Sequence, residues 1–144
     1  MIHRRMTPII ERAAEHFPVV TVLGPRQSGK TTLVKAFCPE HTYINLENPQ
    51  TRTQFREDPK SLLRNGTEHM IIDEAQREPE ILSWVQVFSD QQQVRGQFVL
   101  TGSNQPALGE AISQSLAGRT SIHYLLPLSL EELATEQLLA SRDE

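Results

Sequence analysis

A ten-residue stretch near the N-terminus, "GPRQSGKTTL" at positions 24 to 33, constrains the fold of this chain more than any other feature. It follows the apolar run "VVTVL" and contains the spacing G-x-x-x-x-G-K-S/T, with Gly24, Gly29, Lys30 and Thr31 at the fixed positions. Glycines in such a loop let the backbone turn inward, so that its N–H groups and the start of the next helix face a phosphate. The spacing therefore predicts a strand, a phosphate-binding loop and a helix, in that order.

The loop also supplies side chains suited to a nucleoside triphosphate. We expect Lys30 to bridge the β- and γ-phosphates and the Thr31 hydroxyl to ligate Mg²⁺. Arg26, inside the loop, is expected to be exposed rather than catalytic. The candidate nucleotide-binding residues are the loop and the first residues of the helix, namely Gly24, Pro25, Arg26, Gln27, Ser28, Gly29, Lys30, Thr31 and Thr32.

A second signal is the acidic pair in "MIIDEA" at 70–75, which follows an apolar strand. An acidic residue at the end of a parallel strand lies at the carboxyl edge of the sheet, where ligands of open α/β sheets bind. Asp73 is therefore a candidate ligand of Mg²⁺. Glu74, one residue further on, is a candidate to polarise a water for attack on the γ-phosphate.

Two further stretches carry candidate site residues. "LTGSN" at 100–104 ends another strand with small polar groups, and either Ser103 or Asn104 is expected to contact the γ-phosphate or the attacking water. Thr101 is the candidate that instead satisfies the backbone of the turn. Arg119 has two interpretations: it stabilises transition-state charge on the nucleotide of a neighbouring subunit, or it is an ordinary surface arginine.

The chain alternates strand-like and helix-like segments between prolines. A helix is predicted from Thr7–Pro8 to Pro18, and the strands are predicted at 19–23, 42–46, 70–73, 97–103 and 121–127. Helices are predicted between them, at 30–38, as one broken or two short helices over 49–65, after Pro79 with a core face that includes Trp84, and around 108–115. Such alternation indicates a parallel sheet covered by helices on both faces.

Composition narrows the class of protein. The chain has 144 residues, 38% of them hydrophobic, which suits one globular domain. It has no apolar segment long enough to cross a bilayer, and we expect a cytoplasmic protein. Its fourteen Lys and Arg residues are scattered and its net charge is −4, so nucleic acid as a partner is unsupported but left open. The five His residues lack metal-ligand spacing, and the single Cys38 is expected to be buried.

Six blocks together resemble a known family, in family order: "GPRQSGKTTL", "YINLENP", "IIDEAQREPEIL", "FVLTGSNQPAL", "SQSLAGRT" and "LLPLSLEEL". They are similar to the ATPase module of a prokaryotic AAA+-like family, in which a P-loop domain precedes an uncharacterised nuclease-like C-terminal region. The resemblance implies a three-layer P-loop NTPase sandwich whose five-stranded parallel sheet has the order 5-1-4-3-2. It also implies ATP as the nucleotide, Walker A at 24–31, Walker B at Asp73 and Glu74, and a sensor residue at the end of "LTGSN". Arg119 stands where the family has an arginine before its fifth strand.

We therefore expect residues 1–144 to form a single ATPase domain, with an N-terminal helix and linker at 1–18. The family's lid and C-terminal region are expected to be absent, which predicts weak ATP binding or slow turnover. The leading hypothesis is a Mg²⁺-dependent ATPase that forms a homo-oligomer if Arg119 acts in trans. The alternatives are a nucleotide-gated interaction module with little hydrolysis and a P-loop kinase, although no acceptor pocket is recognisable.

Overall fold

A computed structural model describes residues 7–25 and 29–125, and it contains one five-stranded sheet. All neighbouring strands run parallel, in the order β2-β3-β4-β1-β5. The strands are β1 Val19–Leu23, β2 Thr42–Asn45, β3 Met70–Asp73, β4 Phe98–Gly102 and β5 Thr120–Tyr124. Read from the other side, this is the predicted order 5-1-4-3-2, so the predicted fold class is confirmed.

Six α-helices in the described ranges connect or flank the strands. They are α1 Thr7–His16, α2 Lys30–Phe37, α3 Pro49–Glu57, α4 Pro59–Leu62, α5 Ile81–Gln92 and α6 Pro106–Ser115, with short 3₁₀ helices at Arg64–Gly66 and Ala75–Arg77. The side chains of Asn48 and Asp58 accept hydrogen bonds from the second and third residues after them and so cap α3 and α4. The segment 49–65 is thus broken at Asp58, because this residue ends one helix and begins the next.

The helices cover both faces of the sheet because side chains alternate along each strand. On one face, Val19 and Leu23 pack with apolar residues of α5 and α6. On the other face, Val20 and Val22 pack with Ile10 of α1 and with buried residues of α2. Every residue of β1, β3 and β4 is buried, as expected for central strands covered on both sides.

Some element boundaries differ from the sequence prediction. The last strand begins at Thr120 and ends at Tyr124, earlier than the predicted 121–127, and the helix after Pro79 begins at Ile81. Trp84 of α5 is partly buried and packs against the core, as predicted. All but the first residue of the block "LLPLSLEEL" lies outside the described residues.

Cys38 directly follows α2, and its side chain is buried, as predicted. Burial raises the pKa of its thiol to about 11. Within residues 7–25 and 29–125, no helix combines the length and the apolar character needed to cross a bilayer.

The parallel arrangement gives the sheet two distinct rims. We call the rim where β1, β3 and β4 end, at Leu23, Asp73 and Gly102, the carboxyl edge. We call the opposite rim, where the same strands begin, the amino edge. Residues that follow a strand therefore gather at the carboxyl edge, and residues that precede one gather at the amino edge.

Candidate functional site

The glycine loop joins β1, a central strand, to the start of α2 at the carboxyl edge. The backbone N–H of Gly24 donates to the carbonyl of Gly102 at 3.0 Å, which sets the start of the loop beside the end of β4. Gly29 precedes α2 with φ 81° and ψ 16°, a left-handed conformation that favours glycine. Since α2 begins at Lys30, its positive dipole end lies at this edge. Arg26, Gln27 and Ser28 lie outside the described residues.

Lys30 and Glu74 form a buried ion pair across the loop. The Nζ of Lys30 is 3.1 Å from Oε1 of Glu74 and donates to the carbonyl of Pro25 at 3.4 Å. Only 2% of the Lys30 side chain and 11% of the Glu74 side chain are exposed. Glu74 has φ 60° and ψ 53°, a left-handed conformation that costs a non-glycine residue about 1 kcal/mol. The chain thus turns sharply directly after β3. The strained residue in this turn is Glu74, whose carboxylate contacts Lys30.

The neighbouring carboxylate of Asp73 is surrounded by hydroxyl groups. Its Oδ2 accepts from the hydroxyl of Thr31 at 3.0 Å and from the hydroxyl of Tyr43 on β2, and its Oδ1 accepts from the hydroxyl of Thr101. Burial, together with the hydrogen bond to Asp73 and the charges of both carboxylates, raises the pKa of Tyr43. The phenol therefore stays protonated and serves as a donor. Asp73 is 3% exposed, so these hydroxyls take the place of water around a buried charge.

A glutamine connects the ends of β3 and β4. The side-chain amide of Gln76 donates to Oε2 of Glu74 at 2.5 Å, and its carbonyl accepts from the backbone N–H of Ser103 at 3.2 Å. The Oγ of Ser103 is itself buried, and no described group hydrogen-bonds to it. The hydroxyl of Thr101, besides donating to Asp73, accepts from the backbone N–H of Glu74 at 3.1 Å.

Several residues predicted from the sequence therefore lie together at the carboxyl edge. They are Gly24, Gly29, Lys30, Thr31, Asp73, Glu74 and Ser103. Asn104 and Thr32 belong to the same stretches but are exposed. Thr101 was expected to satisfy a turn, and it does bind the backbone after β3, but it also binds the carboxylate of Asp73.

Arg119 lies apart from this cluster. It directly precedes β5, and its carbonyl accepts from the backbone N–H of Val19 at the start of β1, so it is at the amino edge. Its Nε and Nη2 donate to the two carboxylate oxygens of Asp90 at 2.6 and 3.0 Å. This hydrogen bonding holds the pKa of Asp90 below its usual value. A five-residue strand spans roughly 17 Å, so Arg119 does not reach the phosphate loop of its own chain.

Sequence reasoning missed Gln76 and Tyr43. Gln76 stands two residues after Glu74, but nothing in "DEAQ" indicates that its amide turns back to that carboxylate. Tyr43 is separated from Asp73 by 30 residues, and only the adjacency of β2 and β3 brings the two together. Strand order combined with the alternation of side chains was the one signal that could have found Tyr43.

The donor set at this edge fits Mg²⁺. The Thr31 hydroxyl and the Asp73 carboxylate are oxygen ligands of the kind that this cation prefers, and they lie 3.0 Å apart. The ammonium of Lys30, the start of α2 and the Oγ of Ser103, which no described residue hydrogen-bonds, add groups that attract or bind phosphate oxygens. The arrangement therefore suits a magnesium-bound phosphate chain.

Comparison with known sequences agrees with this geometry. Residues 16–134 match the family model of the AAA domain. The uncharacterized proteins Mb2031c of Mycobacterium bovis and Rv2008c of Mycobacterium tuberculosis are each 36% identical over 129 residues, which cover 88% of this chain and 29% of theirs. The chain thus spans less than a third of the length of these relatives.

Solved structures of other proteins share the fold. The Walker-type ATPase Paby2304 of Pyrococcus abyssi has a TM-score of 0.66 at 15% identity, over 98% of this chain and 58% of its own. The DnaC helicase loader has a TM-score of 0.59 at 12% identity, over 87% and 90%. The STAND signal-transduction ATPase PH0952 of Pyrococcus horikoshii, which has a tetratricopeptide repeat sensor, reaches 0.53 at 19%, over 93% and 25%. At these identities the likeness shows the fold alone.

Proposed function

The chain belongs to the AAA domain family, and from that premise we propose that it binds ATP with Mg²⁺ and hydrolyses it. One observation carries the proposal: the first two residues of α2 contact the last residue of β3 and the acidic residue that follows it. Lys30 is 3.1 Å from Glu74, and Thr31 is 3.0 Å from Asp73. A lysine and a glutamate buried together at a glycine loop are costly to desolvate. Hydrolysis of a triphosphate would use both, the lysine to bind the phosphates and the glutamate to activate water.

Each residue has a separate task in this proposal. Lys30 and the N–H groups at the start of α2 bind the β- and γ-phosphates. Ser103 donates its hydroxyl, which has no partner in the described part of the chain, to the γ-phosphate. Thr31 and Asp73 would hold Mg²⁺, which supplies charge neutralisation between the phosphates when it is bound. Asn104 is the alternative γ-phosphate contact, and its exposure makes Ser103 the better supported of the two.

Glu74 is the proposed acceptor of the proton in the hydrolytic step. The oxygen of a water forms a bond to the γ-phosphorus while its proton passes to the Glu74 carboxylate. The bond from that phosphorus to the β–γ bridging oxygen breaks, and its electron pair leaves with ADP. In the structure Lys30 holds one oxygen of Glu74, so we expect the lysine to move to the phosphates before the carboxylate serves as a base.

The test is phosphate release by the wild type, Glu74→Gln and Lys30→Ala, combined with calorimetry of ATP binding. We expect Glu74→Gln to bind ATP with unchanged affinity and to lose at least about 100-fold in kcat. We expect Lys30→Ala to lose affinity, because it removes the cation that binds the phosphates. Equal rates for all three proteins would refute the assignment.

The same measurements separate the two other functions. Calorimetric binding of ATP with no phosphate release, even with candidate partner proteins present, would favour a nucleotide-gated interaction module. Transfer of the γ-phosphate to a small molecule, detected by product analysis, would favour a kinase.

We assign residues 1–144 to one ATPase unit and place it in the cytoplasm, where ATP and Mg²⁺ are available.

Assembly through Arg119 is a further part of the proposal. Arg119 is at the amino edge, so its guanidinium can serve only the nucleotide of another chain. Light scattering with and without a non-hydrolysable ATP analogue tests this. We expect the analogue to increase the mass of the wild type and not of Arg119→Ala; an unchanged wild-type mass would leave Arg119 as a surface residue bound to Asp90.

A further inference from the structure

Gln76 is the residue that joins the two strand ends of the site, and its orientation follows from its partners. Glu74, as a carboxylate, can only accept a hydrogen bond, and the backbone N–H of Ser103 can only donate one. The amide of Gln76 therefore has its nitrogen at Glu74, 2.5 Å away, and its oxygen at Ser103, 3.2 Å away. An amide is the side chain that meets both demands at once.

The space for this amide depends on Gly102, the last residue of β4. A Cβ at this position would lie 2.9 Å from the side-chain oxygen of Gln76 and 2.4 Å from Cδ2 of Leu108. Both distances are shorter than ordinary van der Waals contact. The absence of a side chain at Gly102 thus leaves room for Gln76 to reach across to the backbone of the next residue.

Both carboxylate oxygens of Glu74 are bound by a neighbouring side chain, but only one of these two contacts is expected to persist when nucleotide binds. Lys30 holds Oε1, and in the proposed function it turns to the phosphates of the nucleotide. Gln76 holds Oε2 and has no such second task. Once Lys30 has moved, Gln76 is the described side chain that remains bound to the carboxylate.

We propose that Gln76 is a positioning residue that fixes the Glu74 carboxylate and the Ser103 backbone as one unit. The inference rests on the proposed function. Gln76 keeps Glu74 aimed while Lys30 binds phosphate. Through the N–H of Ser103 it also fixes the residue whose buried Oγ has no hydrogen-bond partner among the described residues. Glu74, the proposed base, follows β3, and Ser103, the proposed γ-phosphate contact, follows β4. Gln76 then keeps the distance between these two residues constant.

The kinetic test compares Gln76→Leu with the matched control Gln97→Leu. Gln97 is a buried glutamine at the amino edge whose amide donates to the carbonyl of Gly66 at 2.6 Å, so its loss affects stability and not the site. We expect Gln76→Leu to lower kcat about 10- to 100-fold and to keep the affinity for ATP within about twofold. Gln97→Leu should keep both at wild-type values. A wild-type kcat in Gln76→Leu would overturn the proposal.

Gln76→Glu adds a readout that a purely structural role would not change. At pH 8 the new carboxylate repels Glu74, and we expect kcat to fall as in Gln76→Leu. At lower pH the new carboxyl takes up a proton and can donate to Glu74 as the amide does. The ratio of its kcat to that of the wild type should therefore rise as the pH falls towards 5. A ratio that is constant with pH would count against positioning by hydrogen bonding.

A third measurement is independent of turnover. In the ¹⁵N-labelled chain, Glu74→Ala should shift the backbone amide resonance of Ser103 through Gln76, and the shift should vanish in the Gln76→Leu background. The amide of Gly96, bound at the amino edge, serves as the unaffected reference. If the wild type releases no phosphate but Ser103 responds, the proposed function fails and the link stands. If Ser103 does not respond, the link is wrong whatever the turnover.

Discussion

Two of the ion pairs among the described residues lie at opposite rims of the sheet, and they differ more in solvent exposure than in the distance between their charged atoms. Lys30 and Glu74, at the carboxyl edge, are 3.1 Å apart with side chains 2% and 11% exposed. Arg119 and Asp90, at the amino edge, are 2.6 Å apart with side chains 31% and 51% exposed. The exposed pair is the shorter one and has two hydrogen bonds, yet solvent screening leaves such pairs little effect on stability.

Of these two pairs, the buried one requires a functional explanation. A buried pair loses the hydration of both ions, and its mutual attraction offsets that loss only with good geometry and further hydrogen bonds. Two apolar side chains of similar size would often stabilise such a place equally well. Stability therefore does not explain why Lys30 and Glu74 are charged, whereas their proposed tasks in ATP binding and hydrolysis would.

The largest effect is expected from removing one member of the buried pair. Lys30→Met leaves Glu74 buried without its cation and should lower the free energy of unfolding by about 3 kcal/mol. The double variant Lys30→Met with Glu74→Gln should recover most of this loss, because no unpaired charge remains. Urea unfolding at pH 7 without nucleotide measures both. If Lys30→Met unfolds at the wild-type urea concentration, the pair is solvated and our contrast between the rims is wrong.

A smaller effect concerns a histidine at the amino edge. His41 hydrogen-bonds to the carbonyl of Gly96 at 3.0 Å and its ring lies 5.0 Å from that of His69. Burial, and also the charge of His69, lower the pKa of His41 from its ordinary 6.5. Below that pH the unfolded chain takes up a proton that the folded chain resists, so the stability present above pH 6.5 is lost as the pH falls.

Replacing this histidine tests the sign of that dependence. We expect His41→Asn to reduce the loss in unfolding free energy between pH 7 and pH 5 relative to the wild type, whatever its stability at pH 7. Urea titrations at several pH values provide the two slopes. Equal slopes would indicate that His41 is protonated as readily in the folded protein as in the unfolded chain.

The smallest effect is expected at the exposed pair. Asp90→Asn removes the charge that faces Arg119 and should leave the urea midpoint unchanged, since both side chains are solvated. The same titration that detects Lys30→Met provides this result. A clear loss of stability would mean that the amino-edge pair contributes as a buried pair does, and that solvent exposure does not separate the two pairs.

Features of the fold that depend on short local patterns, or that the family resemblance implies, were predictable from the sequence. The strand order, which follows from the family resemblance, is confirmed. Gly24 and Gly29 lie between β1 and α2 as their spacing predicts, and the acidic pair lies at the end of β3, with Asp73 as its last residue and Glu74 directly after it. The roles of these residues stay proposals. Arg119 was correctly expected just before the last strand, but its partner Asp90 lies 29 residues away and leaves no local signal.

The rest depended on side chains meeting across strands. Tyr43 reaches Asp73 only because β2 lies next to β3, and Thr101 reaches it from β4 on the other side. Gln76 reaches Ser103 only because Gly102 has no side chain. These contacts depend on which strands are neighbours and on the space left by a glycine, and no single stretch of sequence indicates either.

The buried thiol of Cys38 allows local opening at the C-terminal end of α2 to be followed through the rate of its alkylation. With a pKa of about 11, Cys38 exists almost wholly as the unreactive thiol at neutral pH, and its burial blocks reagents as well. Alkylation should therefore proceed only during brief local openings of this helix end, so its rate counts those openings. Lys30 is the first residue of the same helix. A slower alkylation of Cys38 when nucleotide is added would therefore show that the nucleotide reduces local opening along α2.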